Sequence, residues 1–167
     1  DMYGNKAEYI TSNNFTVTTF DTLMFRGTGI YGTINARKIQ TLNANVISAL
    51  ILNDRELWTK TNTMFVNTTT VSAVTNNPAF GSEGFVESDG AGRLSRMTNT
   101  TSRYFYPVGS DSGTLRYRPL YLAPASSASN TYAVRMANVD ATNEGDSTGL
   151  LDSTICTVNK LYYHLID

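Results

Sequence analysis

The sequence predicts an all-β protein, with short solenoid-like strands over residues 1–78 and a β-sandwich-like module over residues 79–167. Three observations carry this. Polarity comes from neutral side chains: Thr (24), Asn (16) and Ser (14) make up 54 of 167 residues, whereas charged residues are 16%. A helix bundle would instead carry Lys, Glu and Ala on its surface. Apolar residues recur in short period-two pairs such as Leu23/Phe25, Leu50/Leu52 and Met64/Val66, the spacing of strands with one buried face. No stretch has the 3.6-residue periodicity of an amphipathic helix. At 41% apolar and 11% aromatic, the chain has enough material for a core.

Residues 1–14 are polar, with Tyr3, Tyr9 and Ile10 the larger side chains, and fit either an edge strand or a leader. From Phe15 to Val74 apolar pairs alternate with Gly27, Gly29 and Gly32 or with Asn/Asp steps at Asn43, Asn45, Asn53 and Asp54. Leu23, Leu42 and Leu57 are spaced on the scale of one β-solenoid coil, about 20 residues. An antiparallel meander gives similar alternation, so both arrangements stand. Asn76-Asn77-Pro78 breaks the pattern and sets the expected boundary. Beyond it, Asp89-Gly90 between Phe85–Glu87 and Arg93–Arg96 predicts a tight hairpin. Tyr104–Val108 is a strand, stopped at Gly109 by a residue free to adopt unusual φ. Leu115–Leu122 is a strand whose Pro119 assigns it to an edge or a bulge. Thr131–Val139 alternates as a half-buried strand, Asp140–Gly149 is an acidic loop, and Val158–Ile166 is the last strand.

Composition excludes several functions. Thirteen Lys+Arg against fourteen Asp+Glu leave a net charge of -1, with no basic surplus for a phosphate backbone, so nucleic acid is not an expected partner. One Cys (Cys156) and one His (His164) cannot make an internal disulfide, a Cys/His zinc site or a Cys-His catalytic pair. No apolar run of about 18 residues is present to insert in a membrane as a helix. The chain starts at Asp1 without an initiator Met and reads as a processed protein or an excised piece.

The second half carries a series of motifs: Gly84-Phe85-Val86, Gly92-Arg93-Leu94-x-Arg96, Phe105-Tyr106-Pro107-Val108-Gly109 and Tyr117-Arg118-Pro119-Leu120, with Val158-Asn159-Lys160-Leu161-Tyr162-Tyr163 near the end. Over residues 80–167 this order resembles a β-rich module of large secreted cell-surface proteins of Bacteroidetes, with its FPVG-like and YRP strand motifs. Tyr106 stands where that module usually has Phe, and Tyr163 where it usually has Trp. The resemblance implies export by the type IX secretion route, an extracellular, cell-surface location and no catalytic activity. It also implies association with neighbouring modules or with secretion and surface-assembly proteins. Such modules usually run further, which leaves room for one cut short of its last strands. In the motifs themselves, Tyr106 and Tyr117 suit a seam between sheets, and Arg93, Arg96 and Arg118 suit aromatic faces.

The function expected is therefore non-enzymatic: a structural or adhesive module presenting loops and open strand edges. The C-terminal strand, Leu161, Tyr162, Tyr163, His164, Leu165 and Ile166, is the candidate partner-binding edge. Carbohydrate binding through exposed aromatics is the alternative, with Trp58, Tyr121 and Tyr162 as candidates. No cofactor is expected, with calcium the one ion the sequence could serve. Asp140, Asn143, Glu144, Asp146 and Asp152 offer hard oxygen ligands in one loop, without the EF-hand spacing. The pairs Asp54/Glu56 and Glu87/Asp89 have strand spacing compatible with paired carboxylates, and are read as ordinary turn and surface acids. His164 alternates against Leu161, Tyr163 and Leu165, which turns it to solvent or a partner. Cys156 reads as a small buried hydrophobe, Thr59, Thr61 and Thr63 as one strand face, and the three Asn-x-Thr triplets as chance.

Overall fold

The apolar pairs form strands that hydrogen-bond to strands one coil further along the chain. The computed structural model describes residues 2–3, 8–11, 17–26, 37–77, 84–88, 91–111, 113–140 and 161–167. Its strands are β1 (Met2–Tyr3), β2 (Glu8–Ile10), β3 (Thr18–Arg26), β4 (Lys38–Gln40), β5 (Ala44–Ile51), β6 (Leu57–Trp58), β7 (Thr63–Val66) and β8 (Val74–Thr75). They continue as β9 (Val86–Glu87), β10 (Arg93–Thr98), β11 (Tyr104–Tyr106), β12 (Val108–Ser110), β13 (Arg116–Tyr117), β14 (Leu120–Leu122), β15 (Asn130–Ala137) and β16 (Tyr163–Ile166). One 3-10 turn, Val71–Ala73, precedes β8; among the described residues there is no α-helix.

One sheet runs β1-β3-β5-β7-β10-β15-β16, with β8 also on β5; a second runs β13-β12-β9-β6-β4-β2; β11 and β14 form a third pair. From β1 to β10 and from β2 to β12 the pairs in the two long sheets are parallel. Parallel neighbours need a crossover, and here each crossover passes through the opposite sheet. The result is a β-solenoid-like arrangement of about three turns. A meander is thereby excluded for these strands. Antiparallel pairs appear only toward the end, at β10–β15, β15–β16, β12–β13 and β11–β14.

Alternation along each strand decides what lies inside. In β5, Ala44, Val46 and Leu50 are buried while Ile47 and Ser48 are exposed. Leu23 and Phe25 of β3, Met64 and Val66 of β7, Leu94 of β10 and Val134 of β15 join the same cluster as Leu57, Val86 and Val108 of the opposite sheet. Each such side chain contributes roughly 1.5–3 kcal/mol by leaving water. Residues on both sides of position 78 thus share two sheets and one apolar cluster.

Several local expectations are corrected. The strands flanking Asp89-Gly90 do not form a hairpin: β9 pairs with β6 and β12, and β10 with β7 and β15. Coil register, which buries Val86 and Leu94 on one core, overrides the local turn signal. Asp89 and Gly90 themselves lie outside the described residues. Leu115–Leu122 is two strands in different sheets, β13 and β14, divided at Arg118-Pro119, where proline supplies no ladder N–H. Tyr104–Val108 divides likewise at Pro107.

Gly109 is a glycine for space rather than for turning. It lies inside β12, and a Cβ there would sit 2.8 Å from the Phe85 ring and 2.6 Å from the Arg116 carbonyl oxygen. The solenoid corner after β5 does use unusual backbone. Asn53 adopts φ 48°, its side-chain amide donates to the Phe25 carbonyl at 2.8 Å, and its own carbonyl accepts from Asn77 and Gly84.

Candidate functional site

The most concentrated chemistry lies along the second sheet, where successive coils bring Arg37, Glu56, Glu87 and Asp111 together. Arg37 directly precedes β4, Glu56 directly precedes β6, Glu87 closes β9 and Asp111 follows β12. The ladder aligns Lys38 with Leu57 and Trp58 with Glu87, which stacks these charges across four neighbouring strands. Arg37 Nε lies 3.2 Å from Glu56 Oε1, and its Nη2 reaches Glu87 Oε2 at 3.7 Å and the Asp111 carboxylate. Glu87 Oε1 accepts from the Asp111 backbone N–H at 3.1 Å and lies 3.5 Å from the Ser110 hydroxyl. Glu56 and Glu87 are 3% and 0% exposed, so the pair is cut off from solvent screening.

Burial, a hydrogen bond to Glu87 and repulsion from Glu87 together push the Glu56 carboxyl up to about 9, against a smaller opposing pull from Arg37. Carboxylate oxygens of Glu56, Glu87 and Asp111 lie within 4.8 Å of one another. That spacing suits an oxygen-ligated cation, but the Arg37 guanidinium already contacts all three and supplies the positive charge. Glu56 and Glu87, expected at turns and on the surface, are therefore interior. Asp54 is buried as well, 3.5 Å from the Arg55 guanidinium. Period-two spacing put Asp54 with Glu56 and Glu87 with Asp89; the coil register instead sets Glu56 two positions before the partner of Glu87, which brings these two acids from different turns together.

Trp58, one of the carbohydrate candidates, is half-buried beside this cluster, with Arg37 5.0 Å and Lys60 4.8 Å from its ring centre. Tyr121 is exposed on β14, tilted against Phe105 at 5.0 Å with Arg103 5.0 Å from its ring. Tyr162 is half-buried, with Arg118 5.4 Å from its ring. Each of the three rings thus has a cation on it, and they lie on separate segments of the fold: Trp58 on β6, Tyr121 on β14 and Tyr162 just before β16. The expected Arg–aromatic contacts hold for Arg96, over Tyr104 and Tyr106, and for Arg118; Arg93 instead bonds Asp167 at 3.0 Å.

Of the C-terminal edge expected over Leu161 to Ile166, Tyr163–Ile166 is a strand while Leu161 and Tyr162 precede it, and the inner side of that strand is occupied within the chain. Val134 faces Ile166, Arg135 faces Leu165 and Met136 faces His164. Ala133 and Asp167 exchange two backbone bonds of 3.0 and 2.9 Å. In an antiparallel ladder bonded and non-bonded pairs alternate. Leu165 therefore turns its backbone toward β15, and His164 and Ile166 turn theirs away. His164 is half-buried rather than open to solvent, its Nε2 2.7 Å from the Arg118 carbonyl oxygen. Leu161 and Ile166 are 60% and 48% exposed. Of the calcium candidates, Asp140 is described; Asn143, Glu144, Asp146 and Asp152 lie outside the described residues, as does Cys156.

No family model, curated protein or solved structure matches the chain.

Proposed function

We propose that this chain is a non-enzymatic structural or adhesive module of an extracellular, cell-surface protein, built to join a partner by strand addition. The observation that carries the reading is the outer side of β16. It ends its sheet in the described residues, and the N–H and C=O groups of His164 and Ile166 point away from β15. An extended strand on that side makes main-chain hydrogen bonds without rearranging the solenoid. The parallel coils supply a stiff support, and the antiparallel strands after β12 suit a sandwich-like termination. The motif order over residues 80–167 supports surface export by the type IX route, with neighbouring modules or surface-assembly proteins as partners.

Sugar binding is the weaker reading, because Trp58, Tyr121 and Tyr162 stand on separate segments with cations already on their rings. The test is residue-resolved amide exchange on the 167-residue chain, combined with light scattering over a concentration series. In the monomer, the His164 and Ile166 amides exchange quickly while Leu165 is protected. With assembly they become protected, and Ile166→Pro abolishes assembly while keeping the β15–β16 pairing. Strong protection of His164 and Ile166 in a proven monomer would overturn the reading.

A further inference from the structure

We infer that Glu56 and Glu87 share one proton at neutral pH, and that this proton acts as a pH-sensitive clasp between successive coils of the second sheet. The geometry leaves few alternatives. Carboxylate oxygens of the two side chains lie within 4.8 Å of each other, and neither carboxylate can donate to the other unless one is protonated. Both are buried, so ionising both would place like charges together in a low-dielectric interior.

The groups facing the pair come from the neighbouring strands. Arg37 approaches from the coil of β4 and Asp111 from the end of β12, with Ser110 and the Asp111 N–H on Glu87. Three carboxyls and one guanidinium carry a net charge of -1 when the proton is held and -2 when it leaves for the buffer. The other charged side chains on these coils are engaged elsewhere or deeply buried: Asp54 with Arg55, Lys60 on Trp58, and Lys38 inside β4. Glu56 belongs to the coil of β6 and Glu87 to that of β9, and these strands also bond through Leu57 N to Phe85 O and Thr59 N to Glu87 O. Loss of the proton therefore pushes apart two adjacent coils at their joint.

The sign follows from the raised Glu56 value. Between 4.5 and about 9 the folded chain holds a proton that the unfolded chain has lost, so stability falls as pH rises across that window. The experiment pairs infrared spectroscopy with thermal unfolding on the intact chain. A protonated-carboxyl C=O band at pH 7 that disappears above about pH 9 is expected, and it should be absent from Glu56→Gln. Glu56→Gln should also flatten the fall in melting temperature between pH 5 and 9, since a neutral amide keeps a donor without titrating. Should Glu56→Gln fail to fold, Glu87→Gln and the infrared titration of the unsubstituted chain decide. Absence of the protonated-carboxyl band at pH 7 in the unsubstituted protein, or an unchanged pH slope in a folded Glu56→Gln, overturns the inference.

Discussion

The guanidinium of Arg96 lies 5.2 Å from the centre of the Tyr104 ring, inside the protein and beneath β11. It donates to the carbonyls of Phe105, Thr70 and Val71 at 2.8 to 3.1 Å, fastening the 3-10 turn and β11 to β10. Tyr104 completes the knot, its hydroxyl lying 3.1 Å from the Thr69 carbonyl oxygen and accepting from the Asn99 N–H at 3.1 Å. Burial lowers the Arg96 pKa from its ordinary value, against the pull of both tyrosines.

Removing this cation takes a donor from each of three carbonyls, of which that of Thr70 keeps the Ala73 N–H. Arg96→Met is expected to destabilise the chain by about 2–4 kcal/mol, each stranded buried acceptor costing about 1–3 kcal/mol before relaxation. Arg96→Lys should recover little, because an ammonium cannot reproduce the planar fork. Urea unfolding with an unchanged m-value is the check.

The Gly109–Phe85 approach makes a paired prediction. Gly109→Ala is expected to cost roughly 1–3 kcal/mol by overpacking against Phe85 and the Arg116 carbonyl. Phe85→Leu should relieve the ring part of that clash, so the double variant costs less than the sum of the singles. Strict additivity in a double-mutant cycle would contradict the contact.

The corner at Asn53 separates backbone from side chain. Asn53→Gly keeps a residue at ease with φ 48° but loses the bond to Phe25, whereas Asn53→Ala loses both. Alanine should therefore be the worse replacement by about 1 kcal/mol. Equal losses in thermal unfolding would mean that the left-handed backbone contributes nothing.

Arg37→Gln removes the cation shared by Glu56, Glu87 and Asp111. A loss of about 3–5 kcal/mol is expected near pH 7, as for breaking other buried ion networks. The loss should shrink toward pH 4–5, where the carboxyls are neutralised in the unfolded chain too. Trp58, the single tryptophan, has Arg37 5.0 Å from its ring, so its emission should shift with the substitution.

The strand character of this chain was legible because it depends on local alternation: Leu23/Phe25 and Met64/Val66 point inward as their period-two spacing requires. Pairing was less legible, because it depends on coil register. Asp89-Gly90 has strong turn chemistry, yet β9 and β10 on either side of it belong to different sheets. The charge cluster was missed for the same reason. Glu56 and Glu87 carry no shared motif, and only the alignment of Trp58 with Glu87 brings their coils together. The signal available was an acid in each of two short apolar segments one coil apart, unreadable without the register.

In the second sheet, Lys38, Leu57, Val86 and Val108 follow one another across the ladder at intervals of 19, 29 and 22 residues. The strands fix the rise of each coil, while the connections absorb the differences in length. Doubling a flexible connection adds only about 0.6 kcal/mol of closure entropy. Length changes in exposed connections are therefore cheap, unlike at the buried Asn53 corner, whereas a single residue added within a strand reverses its faces. Such a chain can lengthen its exposed turns through evolution while its interior stays the same, and descendants of one ancestor would come to share a cross-section long after their sequences had ceased to align.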